Sequence, residues 1–207
     1  MSKDNNKNNN VPNKEKRIIL IHGIYRSGKD YAAEQIESYL HDMGYTTEKM
    51  SFADPMKFIL TKTLNIDLET FDNHKNNKSE LFVQGDDLQN VFLTDFRTLI
   101  QNFGTEAMKP IFGEHVWATL LYKKAIASEA DFLIVPDFRF LTEQIKGAST
   151  IKVINKDVEH GDGHRSENEL KNFKFDYKID NTGKPDISKD VKRIINSIIK
   201  KNHIISH

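Results

Sequence analysis

Apolar residues in this chain gather in short runs, and the runs take two forms. Ile18-Ile19-Leu20-Ile21, Phe132-Leu133-Ile134-Val135 and Ile151 to Ile154 are continuous or nearly so, as strands covered by helices on both faces require. Five strands are therefore expected: Arg17 to His22, Tyr45 to Phe52, Phe132 to Val135, Ile151 to Ile154 and Tyr177 to Asp180. The second form is helical. Phe96, Leu99, Ile100 and Phe103 recur at the i, i+3, i+4, i+7 spacing of an amphipathic helix from Thr94 to Phe103, with Thr94 as its cap and Gly104 as its stop. Further helices are expected over Asp30 to Met43, Asp54 to Leu64, Glu114 to Ser128 and Ile187 to Lys201. Asp54 reads as an N-cap ahead of Pro55, and the last helix gathers lysines towards its C-terminus, as its dipole favours.

Two stretches show no sustained period. Met1 to Lys16 is rich in Asn and Lys and too polar to offset the entropy of ordering, so a disordered tail is expected over 1–16. Residues 65–90 read as an insertion of short helices and loops, of the kind that covers a substrate on an α/β fold. Strands alternating with helices predict an α/β fold with a parallel sheet, whose ligands gather at the C-terminal ends of the strands.

Composition narrows this picture. A chain of 207 residues forms one domain with a sizeable core. Thirty Lys and Arg balance thirty Asp and Glu, so bulk charge points neither to a nucleic-acid coat nor to a membrane surface. The chain has no cysteine, which removes disulfides and thiolate metal sites, and no apolar run approaches the ~20 residues of a membrane span. The N-terminal stretch also lacks a signal-peptide apolar region, so a cytoplasmic location is the expectation.

Candidate chemistry centres on Gly23-Ile24-Tyr25-Arg26-Ser27-Gly28-Lys29-Asp30. Gly, four residues, Gly and Lys between a strand and a helix is the context of a phosphate-binding P-loop, so a nucleoside triphosphate is the expected ligand. Its amides would surround the β-phosphate while Lys29 reaches the β- and γ-oxygens. Asp30 stands where Ser or Thr usually holds Mg²⁺. It is either an acid that positions Mg²⁺ through water or a helix-terminal acid answering the dipole, and an acid beside phosphates needs an intervening cation, which favours the metal role. The Ser27 hydroxyl is placed for phosphate or metal shell. Asp137, at the end of the Phe132 to Val135 run, matches the acid that holds Mg²⁺ in P-loop enzymes, with an N-cap as the plainer alternative. Arg139 lies over the same crevice, where its fork suits phosphate oxygens. Arg97 reads from spacing alone as a solvated helix residue. Arg165, in the polar loop Lys156 to Ser166, either closes on phosphates as a lid arginine or takes no part. Trp117 and Phe112 read as core and His22 as structural.

These stretches also occur as an ordered set. GIYRSGKD, SFADPMK, RTLIQNFGTE, VWATLL, FLIVPDFRFLTEQ, HRSENEL and YKIDNTG, from about Arg17 to Lys200, together resemble the deoxynucleoside monophosphate kinases of bacteriophages. The resemblance implies a nucleoside-monophosphate-kinase-like P-loop fold: a three-layer α/β/α domain over 17–207 with a five-stranded parallel sheet. An acceptor-binding insertion at about 65–112 and a lid at about 156–170 come with it. It implies transfer of the γ-phosphate of ATP to a deoxynucleoside 5′-monophosphate with Mg²⁺, in a host cytoplasm, with neither nucleic acid nor membrane as direct partner. By residue, it gives Asp30 the place of the Asp in the family's G-K-D phrase, Arg97 that of an arginine facing the monophosphate, and Arg139 that of the arginine in D-x-R. Asn181 to Gly183 would lie under adenine, completing with Gly23, Arg26, Ser27, Gly28, Lys29, Asp30 and Tyr31 the ATP-binding set.

Two departures stand out. Tyr31 replaces the usual Thr after G-K-D, and Lys109 is the nearest cation where relatives carry Arg. Another small-molecule kinase, of the dephospho-coenzyme A or phosphomevalonate type, and a nucleotide-binding interaction module that transfers nothing are the alternatives. Base preference, lid closure and oligomeric state, a homodimer included, stay open at the level of sequence.

Overall fold

A computed structural model describes residues 16–77, 79–85, 88–158, 169–183 and 186–201, with backbone only over 81–93. The elements follow in order: β1 (Arg17–His22), α1 (Lys29–Asp42), β2 (Thr47–Lys49), α2 (Asp54–Leu64), α3 (Leu68–Asn76), β3 (Glu80–Gly85), β4 (Leu88–Asp95), α4 (Phe96–Asn102), a π-helical turn (Phe103–Met108), α5 (Lys109–Phe112), α6 (Val116–Ala127), β5 (Phe132–Val135), β6 (Ser149–Ile154), β7 (Tyr177–Asp180) and α7 (Ser188–Lys200).

Five strands form one parallel sheet in the order β2-β5-β1-β6-β7. The alternation of β1 divides the core. Ile19 and Ile21 pack with Ala32, Ile36 and Leu40 of α1 and Val191, Ile194, Ile195 and Ile198 of α7, whereas Ile18 and Leu20 pack with Trp117, Leu121 and Ala125 of α6. Successive side chains of a strand point to opposite faces, so a strand buried on both must be apolar throughout. The result is the expected three-layer α/β/α fold. β1 lies between β5 and β6, so the chain leaves it on one side and later returns on the other. That switch point opens a crevice at the C-terminal ends of β1 and β5.

The insertion differs from its expectation. Besides α3 it contains an antiparallel pair, β3 with β4, where only short helices and loops were expected. A satellite core of Leu60, Phe71, Phe96 and Ile100 ties α2, α3 and α4 together beside the main sheet.

Boundaries shift for physical reasons. Asp95, not Thr94, caps α4, accepting from the Arg97 and Thr98 amides at 2.9 Å each. Asp54 lies inside the first turn of α2 and Ala53 is the cap. Gly104 does not stop its helix: a Cβ there would lie 2.3 Å from the Met56 sulfur, and its carbonyl accepts from Trp117 Nε1 at 3.1 Å. Glycine serves close approach here, and the helix runs on as a π turn, a form often found at functional sites. Trp117 is core as expected, but Phe112 is 63% exposed. Lys16 was placed in the tail, yet its ammonium meets the Ala125, Ile126 and Ser128 carbonyls at the C-terminal end of α6, where a cation is favoured. The rest of the tail, 1–15, lies outside the described residues.

Candidate functional site

The loop after β1 is built by backbone conformation. Arg26 and Gly28 take left-handed φ values of 63° and 88° between neighbours of negative φ, an alternation of the kind that turns successive N–H groups into an anion-binding nest. At Gly28, N-cap of α1, the space is closed to a side chain: a Cβ would lie 2.1 Å from Asn181 Nδ2. At Gly23 it would lie 2.2 Å from Ser27 Oγ. Asn181, at the end of β7, donates through Nδ2 to the Ser27 carbonyl at 3.0 Å and so props the loop from behind. Ser27 Oγ and Asn181 Oδ1 are buried without a hydrogen-bond partner among the described residues. Of the two, the Ser27 hydroxyl can donate to a phosphate oxygen, whereas the amide oxygen of Asn181 can only accept.

Two cavities, each of about 570 Å³, open from this loop. Arg26, Gly28, Asn155, Asp157 and Val158 line the first, and Gly183, at φ 70°, donates its amide to Asp157 beside it at 2.6 Å. The second lies under α2, α4 and the π turn, with Tyr25, Arg97, Lys109, Asp137, Arg139 and Glu143 among its walls. Lys29 and Asp30 line both. Their side chains pair at 3.2 Å, with Lys29 14% and Asp30 63% exposed. Arg97, read from spacing as a solvated residue, instead faces the second cavity, its guanidinium 4.7 Å from the centroid of the Tyr25 ring.

Asp137 has a further use. Its carboxylate accepts from Ser51 Oγ at 2.6 Å, the Phe52 amide at 3.0 Å and the Ala53 amide at 3.1 Å, fastening the end of β5 to the start of α2. A carboxylate has about four acceptor positions. Three are used, two on Oδ2 and one on Oδ1, which leaves one position on Oδ1. Beside it stands Glu143, almost fully buried, which accepts from the Arg139 and Phe140 amides at 2.7 and 3.0 Å. Burial, with repulsion from Asp137, pushes the Glu143 carboxyl up to about 8. Burial and the same neighbour also raise Asp54. Lys109, 4% exposed, lies 4.0 Å from the Phe140 ring centroid, 3.3 Å from Thr142 Oγ1 and 3.6 Å from Glu114. Further along the wall, Asp72 joins Lys57 and Lys75 at 2.9 and 2.8 Å.

His22 is structural, as expected. Burial lowers it to about 4, and its Nδ1 meets the Phe138 carbonyl at 3.0 Å while the ring stacks on Phe175. Tyr31, 42% exposed, lines neither cavity. Arg165 lies outside the described residues, as do residues 159–168 of the lid expected at about 156–170. The sequence reading missed Tyr25, Glu143 and the Lys57–Asp72–Lys75 cluster. Only Tyr25 had a local signal, its place inside the loop.

For a metal, no cluster of three or more His, Asp or Glu side chains exists among the described residues. The donors at hand, Ser27, Asp30 and Asp137, are all oxygens, which suits Mg²⁺ held by one or two carboxylates and substrate phosphates rather than by a protein cage.

Fold and loop define a P-loop α/β protein. No family model matches the chain, and no curated protein does. Solved structures with some likeness include APS kinase CysC of Mycobacterium tuberculosis as its Cys556Ala mutant, 12% identical over 90% of this chain and 99% of that one, with a TM-score of 0.43. A cobyrinic acid a,c-diamide synthase of Mycobacterium smegmatis with bound ADP and magnesium is 16% identical over 88% and 82%, with a TM-score of 0.42. A plasmid partition protein of Borrelia burgdorferi bound to AMPPNP is 14% identical over 91% and 100%, with a TM-score of 0.45. No helix among the described residues is long and apolar enough to cross a membrane.

Proposed function

We propose that the protein is an ATP-dependent kinase of deoxynucleoside 5′-monophosphates. The observation that carries this reading is the pair of cavities meeting at Lys29 and Asp30, one beside the amide nest and one walled by Arg97, Arg139 and Lys109. A triphosphate seated in the nest directs its γ-phosphate past Lys29 towards the second cavity. A monophosphate there meets cations from three separate elements, and the cavity has room for its sugar and base.

In the reaction, an oxygen of the acceptor phosphate attacks the γ-phosphorus. The bond from that phosphorus to the β–γ bridging oxygen breaks, and ADP departs with the electron pair. Such transfers need positioning and charge neutralisation more than covalent help from the protein. Lys29 neutralises the β- and γ-oxygens, and Arg97 and Arg139 hold the acceptor phosphate in line. Asp30 and Asp137 would hold Mg²⁺, which would supply charge neutralisation on the phosphates. Asn181 and Gly183 underlie the adenine.

The test is ADP release from ATP and Mg²⁺ with dTMP, dGMP, dCMP or dAMP, beside dephospho-coenzyme A and phosphomevalonate. Turnover with at least one deoxynucleotide is expected. Turnover only with another acceptor would move the protein to a different small-molecule kinase, and tight ATP binding without turnover would make it an interaction module.

A further inference from the structure

The loops that leave β6 and β7 start from paired strand ends, Ile154 against Asp180, and are laced together beyond them. The Lys156 amide donates to Thr182 Oγ1 at 3.1 Å, and the Gly183 amide donates to Asp157 Oδ2 at 2.6 Å. Asn155 Oδ1 accepts from the Asp157 amide at 2.9 Å. Asp157 is therefore tied down through both its backbone and its side chain. It also lines the cavity beside the nest, with Arg26 and Gly28. Its Oδ1 makes no hydrogen bond among the described residues. A carboxylate accepts through about four positions and donates through none, so a polyphosphate in the same cavity repels it. Its presence costs affinity unless the ligand brings it a donor.

We propose that Asp157 binds the sugar of the phosphate donor: its carboxylate accepts from the vicinal 2′- and 3′-hydroxyls of the ribose of ATP. This rests on the reading given above, in which the triphosphate fills the nest and the adenine lies over Asn181 and Gly183. Ribose joins those two parts of the nucleotide, so a residue between the nest and Gly183 stands beside the sugar. Asp157 is so placed, sharing a cavity with Arg26 and Gly28 and a hydrogen bond with Gly183. Phosphate oxygens only accept, whereas hydroxyls donate, so the sugar is the nearest part of the nucleotide that a carboxylate attracts. A carboxylate on ribose hydroxyl serves dinucleotide-binding folds in the same way. The Gly183 amide fixes the carboxylate beforehand, which removes the cost of ordering that side chain from binding.

The test is calorimetric titration of the full-length protein with Mg²⁺ and either ATP or 2′,3′-dideoxyATP, with no acceptor present. Wild type is expected to bind ATP about tenfold more tightly than the dideoxy analogue, the worth of one hydrogen bond to a charged group. D157A should weaken ATP by about that factor and bring the two Kd values within about twofold of each other. D157N keeps one carbonyl oxygen for the Gly183 amide, so the dideoxy analogue should bind it as it binds wild type, while the preference for ATP falls to about threefold or less. Equal affinity of wild type for the two nucleotides overturns the proposal. An equal loss for both in D157A also overturns it, because a residue that only holds the Gly183 turn, or that reads the base, acts on both alike. So does a D157N protein that keeps the full preference. Because no acceptor takes part, a protein that phosphorylates none of the four deoxynucleotides removes the kinase reading and leaves the two titrations to decide Asp157.

Discussion

The two cavities that meet at Lys29 are made of different material. The one beside the nest is shaped by backbone: left-handed Arg26 and Gly28, the amides after β1 and an asparagine prop from β7. The other is shaped by charged side chains from α2, α3, α4, α5 and the segment after β5. Backbone amides bind any phosphate in the same way and need no partner to be ready. Charged side chains need neighbours to hold them, so the second cavity carries internal pairs such as Asp72 between two lysines and Asp137 on three donors. A donor common to many enzymes can be met by a general device, whereas an acceptor must be recognised by a particular set of residues.

The largest effect is expected at Lys29, which lines both cavities. Lys29→Ala should lower kcat by about 10³-fold, because stabilisation of charge on the transferred phosphoryl group is lost, while thermal unfolding stays close to wild type. Steady-state kinetics and calorimetry check this. Activity within a few-fold of wild type would mean that the two cavities do not communicate through Lys29.

Asp137 tests whether the acceptor wall depends on its internal bonds. Asp137→Ala leaves one hydroxyl and two amides without their acceptor, and should cost about 3 kcal/mol of stability in addition to its effect on turnover. At two to four degrees per kcal/mol for a chain of this size, Tm falls by roughly 6–12 °C. An unchanged Tm would show that the start of α2 holds without it.

Much of this was legible beforehand and some was not, for one reason. The nest, the five strands and their order along the chain are local features, carried by glycine spacing and unbroken apolar runs. The acceptor wall is assembled from residues distant in sequence. Nothing around Glu143 announces that burial will raise it to about 8, since that depends on Asp137 and on the Arg139 and Phe140 amides. Gly104 carries the usual sign of a helix end, and only Met56 and Trp117 arriving from other helices turn it into a point of close approach. The hairpin β3–β4 did have a signal, Gly85-Asp86-Asp87 between Leu81-Phe82-Val83 and Val91-Phe92-Leu93, which the polar run before it obscured.

The same dependence on neighbours has a pH signature. Glu143 is raised from 4.5 to about 8 in the folded protein, so the folded state holds the extra proton. Stability from this group is complete below pH 4.5 and is lost as pH rises through 8. His22, lowered from 6.5 to about 4, runs the other way, and its contribution is complete above pH 6.5 and lost as pH falls towards 4. The two slopes oppose each other between pH 4.5 and 6.5. Denaturant unfolding should therefore find a flat region there and a loss of roughly 2 kcal/mol between pH 6.5 and 8.5. Glu143→Gln keeps a carbonyl for the two amides but cannot ionise, so it should abolish the alkaline loss. If the loss survives in that variant, Glu143 is not its source.

The smallest effect separates the two cavities most directly. Arg97 lines only the second cavity, whereas Arg26 lines the one beside the nest. Arg97→Ala should raise KM for the monophosphate about tenfold, the value of one charge-assisted contact of roughly 1.5 kcal/mol, and leave KM for ATP near wild type. Arg97→Lys should recover only part, because an ammonium lacks the fork that matches phosphate. Both constants come from one initial-rate grid in which ATP and the deoxynucleotide are varied together. A rise confined to ATP would put Arg97 on the donor side and end the division of labour argued here. Equal rises in both would mean that the cation acts on the transferred phosphoryl itself, where donor and acceptor are no longer separate.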